Sequence, residues 1–176
     1  MASLAAFLIT FFIFWLLLMA AGFELELALG GAFIIAVLIG LLVGGSRQKD
    51  LTIQDVEEVA MDLAMRYERM EGREPVDVSE ENRGYDVISE GRWGDIRYIE
   101  VKGMRRIGRI ILTRNEWRMA KRLERGYWVY VVTDIEYRPK LYVIQDPSKL
   151  HTRREDDRYI IDEEEWLENA EEIGHI

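Results

Sequence analysis

The run Tyr85-Asp86-Val87-Ile88-Ser89, a turn from Gly91 to Gly94, and the run Ile96-Arg97-Tyr98-Ile99-Glu100-Val101-Lys102 decide the fold of this chain. Two short alternating segments around a glycine-rich turn predict a β-hairpin. Side chains two apart on a strand share a face, so Glu100 and Lys102 point one way while Ile99 and Val101 point the other. Asp86 comes from the partner strand. Two carboxylates and an ammonium over an apolar underside suggest a metal-dependent phosphodiesterase site.

Upstream, residues Thr52 to Met70 carry apolar side chains at Ile53, Val56, Ala60, Leu63, Tyr67 and Met70, in steps of three and four. This predicts an amphipathic helix ended by Gly72. A second stripe, Glu57, Ala60, Ala64 and Glu68, places small residues where the helix can approach a sheet, with a carboxylate at each end. Pro75 to Val78 reads as a short strand. Downstream, a strand at Arg109 to Leu112 is followed by Thr113-Arg114-Asn115-Glu116, a capping box that opens a helix closed by Gly126. Capping is a sufficient reading of Thr113 and Glu116. Tyr127 to Thr133, nearly all aromatic and β-branched, predicts a central strand buried on both faces. Leu141 to Gln145 predicts another strand, and Asp162 to Ile173 a final acidic helix. The order describes an α/β or α+β fold, a mixed sheet flanked by helices.

The N-terminal part is different in kind. Ala2 to Phe23 and Leu27 to Gly45 contain no charged residue, and only Glu24 and Glu26 interrupt the apolar run between them. As helices these runs would be about 28 to 33 Å long, enough for the roughly 30 Å core of a bilayer. They predict a transmembrane hairpin over residues 1–45, with spans at about 3–23 and 27–45. Arg47 and Lys49 follow the second span, so the expected localisation is a multi-pass protein of the cell membrane with both termini and the soluble domain cytoplasmic. Ala32, Ala36, Gly40 and Gly44 recur every four residues, a spacing that allows close helix packing and a homodimer through the spans. A juxtamembrane linker is expected at 46–54, a folded domain at 55–150, and an acidic tail or helix at 151–176.

Charge separates the remaining possibilities. From Ser46 onward lie all 23 basic residues and 30 of the 32 acidic ones, a net charge of about −7. That balance is a poor global signature of nucleic-acid binding. Nine basic residues nevertheless fall between Lys102 and Arg125, against only Glu116 and Glu124. Arg105, Arg106, Arg109, Arg114 and Arg118 are the candidate nucleic-acid contacts, beside the carboxylates where a polyanionic substrate such as DNA would need them. The chain has no Cys, which excludes disulfides and thiolate metal sites, and His151 and His175 read as surface residues. No glycine loop of phosphate-binding spacing precedes a Lys-Ser/Thr pair, so no nucleotide cofactor is expected.

Two carboxylates on neighbouring strands, Asp86 and Glu100, can ligate Mg²⁺ or Mn²⁺ through oxygen and leave positions open for water and phosphate. Lys102 would orient or help deprotonate the attacking water, and Glu57 would approach from the helix as a further ligand or water holder. The order Val56-Glu57-x-x-Ala60-Met61, Gly84-Tyr85-Asp86, Ile99-Glu100-Val101-Lys102-Gly103, Leu112-Thr113-x-Asn115-Glu116 and Asp146-Pro147 resembles the protein NO VEIN C-terminal domain family. That family looks like a branch of the restriction-endonuclease-like PD-(D/E)xK nucleases, related to the Mrr type. The resemblance covers roughly Leu51 to Leu150. It implies a restriction-endonuclease-like fold with Asp86 and Glu100 as metal ligands, Lys102 as the catalytic lysine and Glu57 as the helix carboxylate. Tyr85 stands where the pattern has Pro, a position of backbone shape and no chemistry.

The expected function is a membrane-anchored, divalent-metal-dependent nuclease that hydrolyses phosphodiester bonds of DNA. Two alternatives stay open: a nuclease-fold module at the membrane that binds nucleic acid or protein without cutting, and a membrane scaffold whose carboxylates serve the fold.

Overall fold

Thr52 opens the first helix, α1 (Ile53–Met70), with a reciprocal cap: its hydroxyl accepts from the Asp55 amide, and the Asp55 carboxylate accepts from the Thr52 amide at 2.7 Å. The structure, a computed structural model, describes residues 51–175, together with Phe12, Ile13, Trp15, Leu16, Leu17 and Ala20, which are helical. Leu51–Ile176 forms one compact unit. Val56, Ala60, Leu63 and Ala64 form the buried stripe of α1, while Ile53 and Met70 at its ends are exposed. Gly72 leaves the helix at φ +74°, a conformation that favours glycine.

The main sheet has six strands: β1 (Glu74–Asp77), β2 (Val87–Glu90), β3 (Ile96–Gly103), β5 (Tyr127–Thr133), β6 (Lys140–Gln145) and β9 (Glu171–Gly174), in the order β1-β2-β3-β5-β6-β9. The pairings are antiparallel except β3 with β5, which are parallel. A parallel pair needs a crossover, and this one runs through β4 (Ile110–Thr113) and the helix α2 (Arg114–Leu123). β4 pairs with β8 (Arg158–Ile161), which pairs with β7 (Arg153–Glu155), in a second sheet of three strands. A short helix, α3 (Glu163–Asn169), precedes β9. The mixed sheet with flanking helices is the expected fold class.

Each face of the six-stranded sheet has its own core. Val87, Ile99, Tyr130, Val132, Leu141 and Val143 pack with α1. Tyr127, Val129, Val131, Tyr142 and Ile144 pack with Ile110, Leu112, Trp117, Ile161 and Trp166. Trp166 is fully buried, and its indole N–H donates to Gly108 O at 2.8 Å, so its polar edge is satisfied. The run at β5 is buried along almost its whole length, as a strand covered on both faces must be. The helix α1 lies close to β3 because of small residues: a Cβ on Gly103 would come within 2.8 Å of Val56 O and 3.0 Å of the Ala60 Cβ.

At the far end of α1 a charged network replaces apolar packing. Glu68 is completely buried, and its Oε1 accepts from Arg97 at 2.8 Å and from the Tyr130 hydroxyl. Arg73 Nε lies 3.0 Å from Glu68 Oε2 as an ion pair without hydrogen-bond alignment. Arg73 also donates to Ser89 O and to Asp95, and Arg97 stacks over Trp128 at 4.6 Å. Four chain segments therefore meet on one carboxylate.

Two expectations change. The segment 151–176 is no appended tail: it supplies β7, β8, α3 and β9, and the expected helix stops at Asn169 because Glu171–Gly174 pairs with β6. The expected localisation, a multi-pass membrane protein, is overturned. Among the described residues no helix is long and apolar enough to cross a membrane. A span needs about 20 consecutive apolar residues, and the longest helix described, α1, has 18 residues of which seven are charged. The two expected spans fall almost entirely, and the Ala32 to Gly44 face entirely, outside the described residues.

Candidate active site

The register of the β2–β3 hairpin builds the site. Val87 stands opposite Ile99, and one step further the Asp86 amide donates to Ile99 O at 2.9 Å, which brings Asp86 beside Glu100. Asp86 thus continues the line of β2 just ahead of its first residue. Its Oδ2 accepts from the Val101 amide at 2.8 Å, and its Oδ1 accepts no hydrogen bond among the described residues. Lys102, two residues beyond Glu100 on the same face, donates to Glu100 Oε1 at 2.6 Å and to Glu116 Oε2 at 2.9 Å.

These three side chains line one cleft of about 830 Å³, with Glu57 from α1. Glu57 is exposed there and makes no hydrogen bond or ion pair among the described residues. Glu58, Asp62, Asp77 and Glu80 also border the cleft, and among the described residues Lys102 is the single cation in its lining. The cleft is therefore strongly acidic, which favours a metal cation and repels a bare phosphate.

Burial dominates the titration of this group. It pushes Glu100 up to about 8, with Lys102 pulling down and the neighbouring Asp86 and Glu116 charges adding to the rise. Burial also raises Asp86, against the Val101 amide and Lys102, which favour its charged form. For Lys102, burial works against the ammonium, but the adjoining Glu100 and Glu116 outweigh it and hold the lysine above its ordinary range. Lys102 is consequently a fixed cation and not a base at neutral pH.

The donor set fits a small divalent ion. Mg²⁺ is commonly held by one or two carboxylates, its own waters and a substrate phosphate, with no all-protein cage. Half-buried Asp86 offers a free oxygen beside the buried Glu100. Among the described residues no group of three or more acids or histidines is placed to hold a metal ion, Asp86, Glu100 and Glu57 together included.

The Arg residues divide. Arg105 donates to Leu51 O and lies 3.4 Å from Glu136, so it ties the chain at the start of α1. Arg118 donates to Asn115 Oδ1 at 2.7 Å. Arg106, Arg109 and Arg114 are exposed and make no hydrogen bond or ion pair among the described residues, leaving three guanidinium groups available to a phosphate backbone.

Three residues outside the expected set complete the surroundings. Glu116 acts as cap and as Lys102 partner at once: its Oε2 accepts from the Thr113 amide at 3.1 Å and from Lys102. Asn115 Nδ2 donates to Asn82 O at 3.0 Å, and the buried Tyr127 hydroxyl donates to Gly84 O at 2.8 Å, two residues before Asp86. The capping-box signal located Glu116 without showing its second contact, which needs the crossover to bring α2 over β3. Nothing local in the sequence marks Tyr127 apart from other residues of a buried strand.

A family model described as Protein NO VEIN, C-terminal, matches residues 56–144, which is 89 of the chain's 176 residues. The match takes in every residue just described around Asp86, Glu100 and Lys102. No curated protein matches the chain.

Proposed function

This chain belongs to the NO VEIN C-terminal family, and we propose that it is a divalent-metal-dependent nuclease of the restriction-endonuclease-like PD-(D/E)xK kind, Mrr-like, hydrolysing phosphodiester bonds of DNA. The observation that carries the proposal is the convergence of Asp86, Glu100 and a doubly anchored Lys102 in one acidic cleft. Asp86 and Glu100 would hold Mg²⁺ or Mn²⁺, which would supply a Lewis acid and a charge clamp for the phosphate. Lys102 offers a fixed positive charge to the phosphate or to the attacking water, a contribution largest in a partly dry cleft. Glu57 at the rim holds water on the open side. Arg106, Arg109 and Arg114 pair with flanking phosphates, giving salt-sensitive binding.

A second reading, a binding module that holds nucleic acid or protein without cutting, draws on the two carboxylates that already occupy Lys102. Nicking of supercoiled plasmid by the full chain separates the two. The expected result is Mg²⁺-dependent nicking abolished by chelator; salt-sensitive binding with no nicking under any divalent ion would favour the second reading.

The pH dependence has a definite sign. With Glu100 at about 8 in the absence of a cation, metal binding at pH 7 must expel a proton. Metal affinity and nicking rate are therefore expected to rise from about pH 7 to 9. Without metal, stability runs the other way: between 4.5 and about 8 the folded chain keeps a proton on Glu100 that the unfolded chain has lost. Glu100 thus lowers metal-free stability as pH rises through that window, and added Mg²⁺ offsets the loss. Thermal melts across pH with and without Mg²⁺ check both signs; a metal-free stability that climbs through this window would count against the assignment of Glu100.

A further inference from the structure

Resting on the nuclease reading, we infer that Glu116 is a positioning residue, which holds the Lys102 side chain in the cleft while Glu100 serves the metal. Glu100 has two duties in that site, metal ligand and anchor of the ammonium at 2.6 Å, and they compete for the same carboxylate. A carboxylate committed to a divalent cation attracts the ammonium less, and the two cations repel each other. Lysine sits on a flexible four-carbon stem and needs a second anchor to stay in place. Glu116, 2.9 Å from Nζ, is that anchor. It comes from α2, a different element from both expected metal ligands, and its own carboxylate is fixed by the Thr113 amide.

The same helical turn also braces the other half of the site. Asn115 Nδ2 donates to Asn82 O at 3.0 Å, and Arg118 orients that amide through Asn115 Oδ1. Gly84, at φ +85°, fits against this turn so tightly that a Cβ would meet Met119 Cγ at 2.9 Å and Asn115 O at 3.0 Å. The segment leading into Asp86 and the ammonium of Lys102 are thus both held by the first turn of α2.

Two substitutions separate positioning from capping. Glu116→Gln keeps a capping box, which accepts Glu or Gln at this place, but removes the charge. Thr113→Ala keeps the charge and removes the hydroxyl cap. In Glu116→Gln full chain the melting temperature is expected to stay nearly unchanged while plasmid-nicking kcat falls about 100-fold, the size seen for one preorganised contact, with KM little altered. In Thr113→Ala the melting temperature falls and kcat is retained. A readout free of activity is the ¹⁵Nζ–¹H correlation of the Lys102 ammonium, identified by its absence in Lys102→Arg: sharp in the wild type, broadened or lost in Glu116→Gln. Glu116→Gln with the Lys102 signal intact overturns the inference, as does wild-type kcat in that variant. A wild type that does not nick removes the nuclease reading alone, and the ammonium signal still decides the role of Glu116.

Discussion

Lys102→Met is expected to lower plasmid nicking by about 10²- to 10³-fold, the loss typical of removing one preorganised charge-stabilising donor. The substitution keeps the length and apolar stem of the side chain, so the missing quantity is the ammonium. Its loss has a structural cost too. Among the described residues Lys102 is the single cation in the lining of a cleft that holds Asp86 and Glu100, and it also neutralises Glu116. Without it, the buried acids repel one another and Glu100 holds its proton more tightly. Lys102→Met should therefore go on losing stability above about pH 8, where wild-type Glu100 gives up its proton and the loss levels off. Nicking assays with circular dichroism melts between pH 7 and 10 check both parts. Nicking at the wild-type rate by a folded Lys102→Met would remove the lysine from the chemistry.

Glu68→Ala is expected to be the most destabilising single change in the domain, by about 3–5 kcal/mol, the usual cost of breaking a buried ion pair by removing one partner. Arg97 would lose its carboxylate partner while remaining largely buried, and the Tyr130 hydroxyl would lose its acceptor. Arg73 would fall back on Asp95 and Ser89. Glu68→Gln, which keeps an acceptor oxygen and gives up the charge, should cost less. Urea denaturation of the three proteins orders them wild type, Glu68→Gln, Glu68→Ala. Since Glu68 stands at the end of α1 away from Glu57, any folded Glu68 variant is expected to bind metal as the wild type does.

These two residues also mark what could be read from the chain and what could not. The β2–β3 hairpin was legible because alternation fixes which side chains share a face, and the register then places Asp86 beside Glu100 without further information. Ala60 and Ala64 marked the close approach of α1 to the sheet by size alone. Glu68 was visible only as one end of a stripe. Its partners Arg73, Arg97 and Tyr130 lie on other segments, and helix periodicity cannot tell a buried, paired glutamate from a solvated one. Glu116 shows a related failure: a local motif explained it fully, and its tertiary contact with Lys102 adds a duty that the motif cannot show.

Of the second sheet only β4 was legible, as the strand expected at Arg109 to Leu112, and its partners were not, for a different reason. Arg153–Glu155 and Arg158 read as charge rather than strand, since β7 is fully exposed and carries no apolar alternation. Glu171 and Glu172 favour helix by propensity, but pairing with β6 and the Lys140–Glu172 contact of 3.1 Å draw that segment into the main sheet. The basic stripe, compact in sequence, is divided in space: Arg105 and Arg118 serve the fold, and Arg106, Arg109 and Arg114 remain unpaired among the described residues.

The most direct test of the site is calorimetric titration of the full chain with Mg²⁺ and Mn²⁺, comparing the wild type with the double variant Asp86→Ala, Glu100→Ala and running the plasmid assay alongside. A wild type that binds a divalent ion and nicks, beside a folded double variant that does neither, is the expected result. A folded wild type that takes up neither ion at pH 8 to 9, where Glu100 has given up its proton, would contradict a metal-dependent site at Asp86 and Glu100.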